Sequence, residues 1–183
     1  MGTRNLTMVI DQNGNKKIAQ YGQWDGYPSG QGATVLNFFR DKENVQKLID
    51  KLPIVRFLEF DGRDKEFIDN YNSNTSKWSN EPDNRTPEQI QWFKTYMTRD
   101  LGAMILYSVI NSNDAEILLL DQEYTAKSTI NHRSMIEWTY VVNLQENKLK
   151  VHSTLDFPPI KEYDLDNLPD LETFINDFND EEE

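Results

Sequence analysis

The sequence predicts an α+β fold: a mostly antiparallel sheet with a hairpin near each end of the chain and helices packed mainly on one face. Three observations carry this prediction. Two runs of strand character flank Asn13-Gly14 near the start, and two more flank Gln145-Glu146-Asn147 near the end. Between them, apolar residues recur at helical spacing in several segments. No internal repeat interrupts the 183 residues, a length that suits a single domain (1–183) with its own core.

The first hairpin pairs Asn5–Ile10 with Lys16–Trp24. Asn13-Gly14 is a strong two-residue turn signal, because a type I′ turn needs φ > 0 at both central positions. That turn sets Val9 opposite Ile18, Thr7 opposite Gln20 and Asn5 opposite Gly22, with Leu6 opposite Tyr21 and Arg4 opposite Gln23 on the other face. A bulge would break the register, and Gly22 is the candidate bulge residue.

A helix follows from about Gly32, with Ala33, Leu36 and Phe39 on one side. Asp41 caps the next helix, whose stripe is Val45, Leu48, Ile49 and Leu52 and whose end is Pro53. Ile54–Phe60 reads as a strand and Asp64–Tyr71 as a brief helix. Asn72–Thr86 is a loop holding Trp78, read as an insertion rather than a lid. Thr86-Pro87-Glu88 starts a further helix, with Ile90, Phe93 and Met97 on one side. Its pattern runs on through Leu101, Ile105 and Val109, where Gly102 either kinks the helix or admits a close neighbour. Glu116–Leu120 has a strand's length, though a helix end fits too.

Met135–Leu144 and Lys148–Ser153 form the second hairpin. Both faces of the former hold apolar residues, which predicts a central strand. Leu168, Leu171, Phe174, Ile175 and Phe178 then form a stripe behind an Asn167 cap and Pro169. The acidic segment 156–183 is therefore expected to dock as an amphipathic helix.

Composition narrows the function. With 37% hydrophobic and 11% aromatic residues, the chain is polar for a globular protein but too aromatic for a disordered one. The absence of cysteine excludes disulfides, thiolate metal sites and cysteine nucleophiles. No apolar run reaches membrane-spanning length, and no secretory signal opens the chain, so a cytoplasmic location is expected. Met1-Gly2 suggests myristoylation, but Leu6 stands where that motif needs Ser or Thr. The net charge is −12, of which residues 156–183 carry −10: eleven acids against Lys161. Such a balance argues against direct nucleic-acid binding. It suits either solubility or a protein partner with a basic surface, with Asp170, Glu172, Asp177 and Asp180 as contacts.

The candidate site is Gln20–Gly32, which holds Gly22, Gly26, Gly30 and Gly32 among the chain's 8 glycines. Arg4, Gln20, Gln23, Trp24, Asp25, Tyr27, Ser29 and Gln31 could line a polar pocket with aromatic walls. The same residues also read as a tight turn with Trp24 and Tyr27 as core anchors. No phosphate-binding glycine fingerprint is present. An N-terminal-nucleophile hydrolase lacks its nucleophile, since Gly2 follows Met1 and Thr3 would need a further cut. The 2 histidines, His132 and His152, show no metal-ligand spacing, and Asp25, Asp100 and Glu137 are the acids that could converge. No metal, cofactor or catalytic residue is therefore expected.

The opening Met1-Gly2-Thr3-Arg4-Asn5-Leu6 and the segment Ala19–Gly32 resemble a widespread set of uncharacterised proteins of bacteria, phages and filamentous fungi. Asp100–Ala103, Glu137–Leu144 and Leu165–Pro169 are similar to that set as well. The resemblance covers most of the chain. It implies a shared fold and a distinctive corner, and no reaction. For phage-borne members it implies an accessory role of the anti-CRISPR kind: binding and inhibiting a nucleic-acid-handling defence effector in the host cytoplasm. The alternative is a small-ligand-binding or hydrolytic domain centred on Asp25.

Overall fold

Strands β1 (Asn5–Ile10) and β2 (Lys16–Gly22) form the N-terminal hairpin. A computed structural model of the chain describes residues 2–59, 61–66, 87, 101–123, 136–153 and 158–178. The expected register is present from Asn5↔Gly22 through Val9↔Ile18, but the route to it differs. Only Gly14 has a positive φ (82°), so the turn is not type I′. Gly14 N–H donates to the Asp11 carbonyl (3.1 Å) and Asp11 N–H to the Asn15 carbonyl (2.8 Å), which closes a three-residue loop. The odd residue is absorbed by a shift beyond Val9, where Ile10 pairs with Lys16 and Lys17 is left over. The bulge lies there and not at Gly22. The Asp11 carboxylate fixes the loop by accepting from the Asn13 and Asn15 amides, both at 2.8 Å.

Helix α1 (Ala33–Arg40) grows out of a five-residue π-helical turn, Pro28–Gly32. Helix α2 (Lys42–Lys51) has Asp41 as its N-cap, accepting from Glu43 and Asn44 N–H. Pro53 ends it in a short 3₁₀ turn, Leu52–Ile54. Strand β3 (Val55–Phe57) pairs in parallel with β4 (Ile117–Leu119) as a separate two-stranded sheet. Before β4, a 3₁₀ turn at Gly102–Met104 leads into α3 (Ile105–Asn111). Gly102 has φ 48°, and a Cβ on Gly22 would sit 2.9 Å from the Gly102 Cα. Gly102 thus admits a neighbouring backbone at the start of the turn into α3. The expected loop 72–86, most of the helix from Thr86, and Trp78, Asp100 and His132 lie outside the described residues.

Strands β5 (Trp138–Asn143) and β6 (Lys148–His152) form the second hairpin. β5 lies parallel to β1, with Asn5↔Trp138 and Thr7↔Tyr140, and this joins the two hairpins. A further strand, β7 (Lys161–Asp164), pairs with β6 and was not expected. The sheet runs β2-β1-β5-β6-β7, with β5 in the middle as predicted and three of its four pairings antiparallel. The C-terminal helix α4 is shorter than expected, Leu171–Asn176, and its cap is Asp170 rather than Asn167.

Strand alternation sorts the core. Val9, Ile18, Tyr140, Val142, Leu149 and Val151 face the helices, which contribute Leu36, Phe38, Leu48, Leu106, Val109 and Phe174. Leu6, Met8, Ala19 and Val141 form a smaller cluster on the opposite face with Ile136. Among the described residues no helix is long and apolar enough to cross a membrane.

Candidate functional site

The glycine-rich corner is built where the end of β2, the start of β1 and the entry to α1 meet. Its backbone is tied at several points. Gly26 N–H donates to the Thr3 carbonyl (2.9 Å), and Gln31 N–H to the Asp25 carbonyl (2.8 Å). Asn5 Nδ2 donates to the Gly22 and Trp24 carbonyls, both at 3.2 Å. From the middle of the sheet, the buried Tyr140 hydroxyl donates to the Gly26 carbonyl (2.7 Å). Burial pushes that hydroxyl well above the usual phenol range.

The glycines are there for space. A Cβ on Gly32 would stand 2.8 Å from the Tyr140 ring, one on Gly26 2.7 Å from the Thr3 carbonyl oxygen, and one on Gly30 2.3 Å from that of Asp25. Real Cβ atoms do not approach so closely, so the entry to α1 can be laid against Asp25 and the sheet only without side chains at these positions.

The candidate polar side chains divide into two groups. Gln20 is buried, and its Nε2 donates to the Tyr21 carbonyl (3.0 Å) and to Gln122 Oε1 (3.1 Å). Gln23 Oε1 accepts from the Tyr21 hydroxyl (2.7 Å). Gln31 Oε1 accepts from Ala103 N–H (2.8 Å), fastening the 3₁₀ turn before α3. Arg4 is held at the corner by its backbone: its N–H donates to Glu137 Oε2 (2.8 Å), and its carbonyl accepts from Glu137 and Trp138 N–H. These residues hold the corner together.

Trp24, Asp25, Tyr27 and Ser29 form the outward group, all of them exposed. Trp24 and Tyr27 are 51% and 48% exposed, so neither is a core anchor. Asp25 occupies the left-handed region at φ 54°, one of two non-glycine residues to do so among those described.

The acidic segment also does internal work. Asp170 accepts from Thr173 N–H (2.8 Å), which holds its carboxyl below the usual range. Asp177 accepts from the Tyr163 hydroxyl (2.7 Å) and from Lys161 Nζ (3.1 Å), fastening α4 to β7. The Tyr163 hydrogen bond, with that of Lys161, lowers the Asp177 pKa from 3.8, despite partial burial. Its stabilising contribution is complete above pH 3.8 and is lost as pH falls through the lower folded value. The expected result is acid unfolding below about pH 4 that is shallower in Asp177→Asn than in the parent chain, read by circular dichroism against pH. A steeper or unchanged acid limb would contradict it. Glu172 is exposed, and Asp180 lies outside the described residues.

His152 is buried on β6 opposite Thr139. Among the described residues no group of three or more His, Asp or Glu side chains could share a metal ion. The register brings Asn5 to the corner as expected, but sequence reasoning missed Gln122 and Tyr140 as parts of it. Both are distant in sequence, where nothing local announces a contact with the glycine segment. No family model matches the sequence, and neither a curated protein nor a solved structure shows significant similarity to it.

Proposed function

We propose that the chain is a non-enzymatic accessory protein of phage or mobile-element type. It binds a protein partner with a basic surface, a nucleic-acid-handling defence effector of the CRISPR kind, and inhibits it in the host cytoplasm. The observation that carries this reading is the placement of charge. Residues 156–183 hold −10 of the net −12, and Glu162, Asp164, Asp166, Asp170 and Glu172 all reach solvent from β7, the turn after it and α4. Carboxylates fixed along an ordered surface can occupy sites that otherwise take phosphates, and they steer association with a basic partner. The resemblance to phage-borne proteins adds to this reading.

A small-ligand-binding or hydrolytic domain centred on Asp25 is the second reading, favoured by the exposed carboxylate between two exposed aromatic rings. Against it, the Gln20, Gln23 and Gln31 amides that would line such a site are bonded within the chain.

The test is competition. A purified RNA-guided nuclease is preincubated with the chain, and binding of labelled DNA is followed by fluorescence anisotropy. DNA binding is expected to fall, less so at high salt. The Glu162→Gln/Glu172→Gln variant, which leaves the bonds of Asp170 and Asp177 in place, is expected to need about fivefold more protein. Unchanged DNA binding at saturating protein, or a variant as potent as the parent at low salt, would contradict the proposal.

A further inference from the structure

The outward group of the corner has a feature that the fold does not require. Asp25 sits at φ 54°, where an L side chain costs about 1 kcal/mol and glycine costs little. The four glycines of the segment serve close packing and none of them has a positive φ, so the segment's one left-handed position carries a carboxylate, on one of the few side chains that tolerate it. Among the described residues that carboxylate takes no hydrogen bond or ion pair. Its position is nonetheless fixed, because the Asp25 carbonyl accepts from Gln31 N–H and the next residue is tied to Thr3 and Tyr140.

Both flanks are aromatic and half-exposed. One side of the Trp24 indole lies against the N-terminal segment: a Cβ on Gly2 would stand 2.2 Å from Trp24 Cε3. The rest of the ring reaches solvent, as does Tyr27 two residues beyond Asp25. Three side chains from one rigid turn thus present two π surfaces and one anion, on a chain of net charge −12. Exposed aromatic residues on a pre-ordered backbone have the character of interface anchors.

Resting on the reading above, we infer that Trp24, Asp25 and Tyr27 form the anchor for an arginine side chain on a basic segment of the protein partner. The guanidinium stacks on an aromatic face while its N–H groups meet the carboxylate. A planar cation satisfies both contacts, whereas the ammonium of lysine offers only a point charge. Charge complementarity selects this occupant over a second copy, which would bring a second Asp25 and a second acidic segment to the contact.

The test uses the full ¹⁵N-labelled chain titrated with acetyl-Gly-Arg-Gly-amide, a probe with one guanidinium. The Trp24 indole N–H and the Gly26 amide are expected to shift saturably, with a dissociation constant of about 1–10 mM. Asp25→Asn and Tyr27→Ala are each expected to weaken this about tenfold, and acetyl-Gly-Lys-Gly-amide to bind several-fold less well. Glu162→Gln/Glu172→Gln is expected to leave it unchanged. Equal response to the lysine peptide, shifts confined to the acidic segment, or concentration-dependent Trp24 shifts without peptide would each overturn the inference. DNA displacement by a chain whose Trp24 ignores the arginine peptide removes the anchor alone. Peptide binding without DNA displacement removes the effector reading and leaves the anchor.

Discussion

Gly30→Ala is expected to destabilise the fold by about 3 kcal/mol, read as a lower urea midpoint with an unchanged m-value. The added methyl would stand 2.3 Å from the Asp25 carbonyl oxygen and 3.1 Å from its carbon. Both are backbone atoms, and that oxygen already accepts from Gln31 N–H. Relief requires moving the turn away from α1 or breaking the bond that closes it. Gly62→Ala makes the control. Its nearest contact, at 2.5 Å, is the end of the flexible Glu59 side chain, which can swing aside, and the Glu59 Cβ at 3.0 Å has to give only slightly, so a loss of no more than about 1 kcal/mol is expected. If the two variants have the same midpoint, the close packing of the corner is not what stabilises it.

Phe174→Ala is expected to cost about 3–5 kcal/mol. Phe174 is fully buried, with its ring 5.4 Å from that of Tyr163 and 5.3 Å from that of Phe178, which in turn meets Trp138 at 5.7 Å. This aromatic chain couples α4 to the sheet. A helix of six residues has no independent stability, so its order comes from that packing and from the Asp170 cap. Amide exchange over 171–178 should therefore rise in the variant by more than the global loss alone explains. Retained protection there would mean that α4 is held by something other than its aromatic face.

Much of the fold was legible because it is written locally. The alternation on both sides of Asn13-Gly14 set the first hairpin, and Asp41 and Pro53 bracketed α2. The apolar faces of β5 placed it in the centre. The turn type was misread because Asn-Gly also suits a loop in which glycine alone is left-handed, and the bulge at Lys17 then restores the expected register. β7 was missed because an edge strand with three charged residues out of four (Lys161, Glu162, Asp164) has no continuous apolar pattern. Asp170 won the cap over Asn167 because the chain stays extended through Leu168 to Asp170, and Leu171 starts the helix.

The candidate corner was legible as a place and less so as a device. Composition pointed to Gln20–Gly32, and the register brought Asn5 to it. Which side chains are spent on the joint and which are presented was not readable, because that depends on Tyr140, Gln122 and Ala103, which lie 114, 102 and 72 residues away from their partners in sequence. The structure divides the eight residues: Gln20, Gln23 and Gln31 bind inward, Arg4 is half-buried at the joint, and Trp24, Asp25, Tyr27 and Ser29 face solvent.

Asp25→Gly tests that division most directly, with urea stability and binding of the single-arginine peptide measured on the same preparation. A carboxylate kept for a partner predicts stability unchanged or raised by up to about 1 kcal/mol, since glycine removes the left-handed strain at some entropic cost, together with at least a tenfold loss of peptide binding. A variant that is clearly less stable and binds the peptide as before would show that Asp25 serves the fold and not a partner.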